Sequence, residues 1–218
     1  MKKIITVAIS LFLSPTFMIA NAAGDISAGK VKSATCASCH GKDGNSIAPI
    51  FPVLAGQYPA YLSKQLLDFK NKSRKNTSME AFASPLSKRD IENLSAYYAS
   101  KKVKLPKKAK NKEQYLDEDE EIMITEELIA AGKSIYHFGN VASSVPACSA
   151  CHGANADGNL PAGFANLKGQ HAAYLSKSLS DFKSGERNND ASAMMQTIAK
   201  QMSEDEIYAV AAYIASIR

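Results

Sequence analysis

Apolar positions recur at helical spacing in two separated parts of the chain, and in the same way in both. Ile91, Leu94, Ser95 and Tyr98 fall at i, i+3, i+4 and i+7, and Ile207, Val210, Ala211 and Ile214 repeat that spacing. Each run follows a serine with an acid three residues later, Ser87 with Asp90 and Ser203 with Glu206, which is the signature of a helix N-terminus. A middle helix is predicted from about Pro59 to Lys70, with proline suited to the first turn, and its partner from about Ala172 to Lys183. A first helix is predicted from an N-cap at Asp25 to about Ala34, and another from Thr125 to about His137. Both carry an interior glycine, Gly29 or Gly132. Such a glycine costs about 1 kcal/mol against alanine. A close helix crossing would compensate, with Tyr97 and Tyr213 of the last helices as the predicted neighbours. No run of alternating β-branched residues occurs, so the fold class is expected to be all-α.

The order of these elements is that of a repeat. Cys36-Ala37-Ser38-Cys39-His40-Gly41 matches Cys148-Ser149-Ala150-Cys151-His152-Gly153 at an offset of 112. Asp43-Gly44-Asn45 is matched with Asp157-Gly158-Asn159. Gly56-Gln57 through Asp68-Phe69-Lys70 matches Gly169-Gln170 through Asp181-Phe182-Lys183, and Leu86-Ser87 through Ala99-Ser100 matches Met202-Ser203 through Ala215-Ser216. Two homologous domains are expected, at 23–100 and 125–218.

The remaining segments have other characters. Lys2 and Lys3, an apolar run from Ile4 to Ala20, and Ala20-Asn21-Ala22 read as a secretory signal peptide over 1–22, cleaved near Ala22. That places the mature chain in the periplasm. Residues 101–124 form a charged linker, seven lysines followed by six acids, which reads as a solvated strap or as a docking surface. The formal net charge of +5 is too mild to argue for nucleic acid. It is unevenly distributed: residues 24–100 carry +4, 101–124 carry +1 and 125–218 carry −2.

The candidate chemistry lies in the four cysteines. In an exported chain paired cysteines are normally disulfides, but a disulfide needs no histidine after each pair. A redox dithiol would ask for a thioredoxin-like βαβ setting, and a zinc site would have to join two pairs 112 residues apart. Cys-x-x-Cys-His reads instead as covalent attachment of a c-type haem. The spacing sets two thiols beside the vinyl groups of one porphyrin and the histidine beneath the iron. Two copies in register predict two covalently bound haems, on Cys36, Cys39 and His40 and on Cys148, Cys151 and His152. Candidates for the sixth iron ligand are Met79, Met123, Met194, Met195, Met202, His137 and His171. Met79 stands seven residues before Leu86, and Met195 seven before Met202, which occupies the Leu86 position. The repeat therefore selects Met79 and Met195, in loops before the last helices, with Met194 as the competitor of Met195.

These motifs make each half resemble a class I cytochrome c domain, and the chain is identified as a member of the dihaem cytochrome c4 family. The Gly-Gln-x-x-x-Tyr-Leu stretches at Gly56–Leu62 and Gly169–Leu175 resemble the family, as does the longer loop through Val145-Pro146-Ala147. Phe51-Pro52-x-Leu54 carries the proline that supports the proximal histidine in the family, whereas the second half has Phe164-Ala165-x-Leu167. The resemblance implies two domains about a pseudo-twofold axis, with haem propionates near their interface. It implies two low-spin irons, ligated by His40 with Met79 and by His152 with Met195, and an electron carrier rather than an enzyme. Its implied partners are membrane complexes, a quinol-oxidising cytochrome bc complex and a terminal oxidase, reached by peripheral association. Alternatives are the cytochrome subunit of a flavocytochrome sulfide dehydrogenase and a dihaem redox enzyme. Arg74 and Lys75, near Met79, are expected among the partner contacts.

Overall fold

In a computed structural model the described residues are 24–105, 114–116 and 121–218. The predicted signal peptide and the central charge blocks of the linker lie outside them. The first half builds α1 (Ile26–Lys32), α2 (Ala37–His40), α3 (Pro59–Lys70), α4 (Thr77–Ala83) and α5 (Lys88–Ala99). The second builds α6 (Glu126–Phe138), α7 (Ser149–His152), α8 (Ala172–Ser184), α9 (Met194–Gln201) and α10 (Glu204–Ser216). The predicted caps are present: Asp25 and Thr125 cap α1 and α6, and Ser87 and Ser203 form full capping boxes with Asp90 and Glu206. Both haem-motif halves are all-α. The linker departs from that by forming a short antiparallel ribbon, β1 (Gln114–Leu116) with β2 (Glu121–Met123), and β1 lies against α8.

The frame of each half is a crossing of its first and last helices, α1 on α5 and α6 on α10. The glycines make it possible. A Cβ on Gly29 would stand 2.1 Å from Asn93 O and 2.7 Å from Tyr97 Cβ, and one on Gly132 would stand 1.8 Å from Ala209 O and 2.9 Å from Tyr213 Cβ. The tyrosines expected from sequence are there, but the closer obstacle is backbone one turn earlier on the same helix. The first core gathers Leu62, Leu94, Tyr97 and Tyr98. The second is larger, with Tyr136, Leu175, Met202, Ile207, Val210 and Ile214 among its members.

The halves are held together by reciprocal contacts. Arg74 Nη2 donates to Tyr174 Oη at 3.0 Å, and Arg187 Nη2 donates to Tyr61 Oη at 3.0 Å. Each guanidinium also lies over a phenylalanine of its own half, Phe69 at 4.6 Å and Phe182 at 4.4 Å. Arg74, expected at a partner surface, is engaged across the interface between the halves and is half-buried; Lys75 beside it is exposed. The linker's first residues are pinned as well. Asn45 Nδ2 donates to Lys102 O, Lys104 N donates to Asn45 Oδ1, and Lys104 pairs with Asp43 at 2.6 Å. Val103 then enters the space over Gly56 and Gly169, where a Cβ would meet it at 2.9 and 2.3 Å.

Gly132→Ala and Gly29→Ala should each lower the free energy of unfolding by about 1–3 kcal/mol, the range for overpacking, in denaturant titration of the holoprotein. Helix propensity alone would raise it by about 1 kcal/mol, so the sign separates the two effects.

Candidate functional site

Each Cys-x-x-Cys-His motif folds as one helical turn. Cys36 is the N-cap of α2 and Cys148 that of α7, with His40 N donating to Cys36 O at 3.0 Å and His152 N to Cys148 O at 2.9 Å. The two sulfurs of a pair thus share a face, three residues apart, and the histidine follows at the fourth position. Gly41 and Gly153 end the turns at φ +76° and +79°, backbone that other residues adopt only with strain. All four cysteines are half-buried, and no disulfide joins either pair. Among the described residues no group of three or more Cys, His, Asp or Glu comes together, so the pairs do not assemble a zinc site.

The histidines are oriented from behind. His40 Nδ1 lies 3.0 Å from Pro52 O, and His152 Nδ1 lies 3.0 Å from Ala165 O. A hydrogen bond at Nδ1 places the proton there and leaves Nε2 as the lone-pair donor. The contact is made by a carbonyl, so Ala165 supplies it as well as Pro52 does, and the missing proline removes no support. Burial pushes the pKa of both rings down, favouring the neutral imidazole that a metal requires. Phe51 and Phe164 stand 6.2 Å from these rings. Burial also pushes the Cys148 thiol up to about 11. Donor set, spacing and orientation fit a c-type haem in each half.

The loops behind the histidines correct one sequence match. Gly44 O accepts from Leu54 N and Ala55 N, and in the second half Ala156 O accepts from Leu167 N and Lys168 N. Ala156, at φ +60°, therefore stands where Gly44 does, and Gly158 does not.

The other ligand candidates separate by position. Met202 is 2% exposed in the second core. His137 Nε2 is engaged with Tyr213 Oη at 2.7 Å, and His171 Nε2 with Ser46 O of the other half at 2.9 Å. Met79 and Met195 lie not in loops but in the first turns of α4 and α9. Asn76 caps α4 by accepting from Met79 N at 2.9 Å. Met194 is exposed, and Met195 is half-buried.

Two family models match the chain, one described as cytochrome C oxidase, cbb3-type, subunit III over residues 27–97 and one as cytochrome c over residues 129–218. Cytochrome c4 of Pseudomonas aeruginosa is 40% identical over 197 residues, 90% of each chain, and that of Azotobacter vinelandii is 37% identical, covering 98% of this chain and 97% of its own. The chain belongs to the cytochrome c4 family. The crystal structure of reduced recombinant cytochrome c4 from Pseudomonas stutzeri superposes with a TM-score of 0.77 at 39% identity, over 90% of this chain and 100% of that one. A protein called thiosulfate dehydrogenase electron acceptor, from Stutzerimonas stutzeri, is 34% identical over 84% of this chain and 78% of its own. Membership makes this a dihaem electron-transfer protein and not an enzyme, and the two motifs fit covalent haem binding.

Sequence reasoning missed the residues that join the halves. Gln57 and Gln170, Tyr61 and Tyr174, and Arg74 and Arg187 are the same polar types at equivalent positions of both copies. That coincidence was the available signal, since a solvated surface places no such demand on both. Burial opposes ionisation of Tyr174, but Arg74 and Arg187 outweigh it and bring the phenol down to about 8.

Arg187 is 8% exposed, and its Nη2 serves both Tyr61 and Gln65. Arg187→Ala should destabilise the protein by about 2–3 kcal/mol, since hydrogen bonds from a charged donor are lost and their acceptors stay buried. Equilibrium unfolding followed by circular dichroism measures it.

Proposed function

We propose that this chain carries single electrons through the periplasm, from a quinol-oxidising cytochrome bc complex to a terminal oxidase. The observation that carries the reading is the duplicated turn with each histidine held at Nδ1 and free to ligate through Nε2. A bound haem supplies a reversible one-electron ferric/ferrous couple at each site. Cys36 and Cys39, and Cys148 and Cys151, would anchor it by thioether bonds. His40 with Met79, and His152 with Met195, would hold its iron. A thioether ligand favours the ferrous state and raises the potential. The half-burial of Met195 against the exposure of Met194 supports that choice.

No described helix is long and apolar enough to cross a membrane. The basic first half and acidic second half suit different partner surfaces, with exposed Lys72 and Lys75 on the first. A second reading follows from the relative named as an acceptor of thiosulfate dehydrogenase electrons: delivery of electrons to this chain by a periplasmic dehydrogenase of sulfur compounds.

In the oxidised protein, near-infrared absorption should show methionine-to-iron charge transfer from two haems. Met79→His and Met195→His should each remove half of it. An unchanged band in Met195→His would transfer the role to Met194. Turnover with the terminal oxidase should fall as salt rises, because the screening length shrinks from about 10 Å at 0.1 M to about 3 Å at 1 M. A rate independent of ionic strength would remove the case for charge-guided docking.

A further inference from the structure

The amide that holds each motif histidine is itself held by the opposite half. His40 Nδ1 faces Pro52 O at 3.0 Å. The N–H of that same peptide unit belongs to Val53 and donates to Gln170 Oε1 at 2.9 Å. Gln170 Nε2 donates back to Val53 O at 3.0 Å. The second half mirrors this. His152 Nδ1 faces Ala165 O at 3.0 Å, and the N–H of that unit, on Asn166, donates to Gln57 Oε1 at 3.0 Å. Gln57 Nε2 donates to Asn166 O at 2.7 Å. Both glutamines are buried, at 7% and 8% exposure. Two three-member relays thus run histidine, peptide unit, glutamine, and each crosses the interface.

We propose that Gln57 and Gln170 are positioning residues that each set the redox potential of the haem in the opposite half: Gln170 for the haem on His40, Gln57 for the haem on His152. The proposal rests on the ligation by His40 and His152 given above. An acceptor on the amide N–H draws electron density toward the amide oxygen, and hydrogen bonds in series strengthen one another by about 10–30% per bond. A stronger acceptor pulls harder on the Nδ1 proton and makes the imidazole a more basic ligand. A more basic ligand favours ferric iron and lowers the potential. Docking of the halves therefore tunes both sites at once, and each site senses the interface through its own histidine. A glutamine that only pinned the interface would affect both sites alike.

The test is a potentiometric titration of the full holoprotein with the two haems resolved by their paramagnetically shifted NMR signals. Gln170→Leu should raise the potential of the first haem and leave the second unchanged, and Gln57→Leu should do the reverse. Gln170→Glu and Gln57→Glu, which present a charged acceptor, should lower the potential of the same haem that the leucine variant raised. This sign reversal keeps the test decisive if either leucine variant fails to fold. The Nδ1 proton of the affected histidine should move to a position typical of a weaker hydrogen bond in the leucine variants. Tyr61→Phe and Tyr174→Phe weaken the neighbouring arginine contacts without touching either amide, and should move neither potential. A shift of both haems together, a shift reproduced by the tyrosine variants, or no shift at all would overturn the proposal. Failure of the ligation itself would be seen separately, as a wild-type spectrum without the histidine–methionine signature.

Discussion

The peptide units 52–53 and 165–166 bind in two directions, and most of the architecture follows from that constraint. The carbonyl of each faces a histidine of its own half, and the N–H reaches a glutamine of the other. A peptide unit is rigid and planar, so a ring orientation in one half and a side-chain position in the other are coupled through one body. The segment that carries it must approach the opposite half closely. Glycine at 56 and 169, with φ of +67° and +73°, turns the chain there, and Val103 fills the space left over them. Arg74 and Arg187 then close the contact on tyrosines of the opposite half.

Around that shared centre the two halves solve the same problem with different residues. The backbone carbonyl after the first motif, Lys42 O, is capped by Tyr97 of α5 at 2.8 Å, whereas Gly153 O is capped by Tyr136 of α6 at 2.6 Å. The longer loop of the second half is tied to its last helix by Glu206, which accepts from Asn140 and Ser143 as well as from the backbone of Ser203. Burial of that carboxyl works against ionisation, and these donors prevail and hold its pKa down. The second half therefore carries the larger core and the more anchored entry to its motif. An electron-transfer chain with two sites in unlike surroundings has the means to give them unlike potentials.

Local signals were legible residue by residue. Serine followed by an acid three residues later marked both last helices, and both capping boxes are formed. Interior glycines marked the crossings, because a costly residue in a helix implies a compensating approach. Met79 and Met195 were legible as equivalents but not as helical, since α4 and α9 are short and carry too few apolar positions to show a period. The match of Gly44 to Gly158 misled because residue identity outweighed backbone role. Arg74 read as a surface charge because an arginine in a polar segment does not declare that a tyrosine of the other half receives it.

The sequence by itself determined what depends on neighbours along the chain: helix ends, the glycine crossings, the duplicated motif with its thiols and histidine at one-turn spacing, and the equivalence of two methionines. These are short-range quantities, set by dihedral preference and helical period. Only the packed fold settles that Ala165 O orients His152 where the second half has no proline, that Met195 is less exposed than Met194, and which glutamine of one half holds an amide of the other. The glutamine contacts join residues more than a hundred positions apart at hydrogen-bond distance. No local propensity encodes such a meeting; packing of the two cores around a common interface produces it.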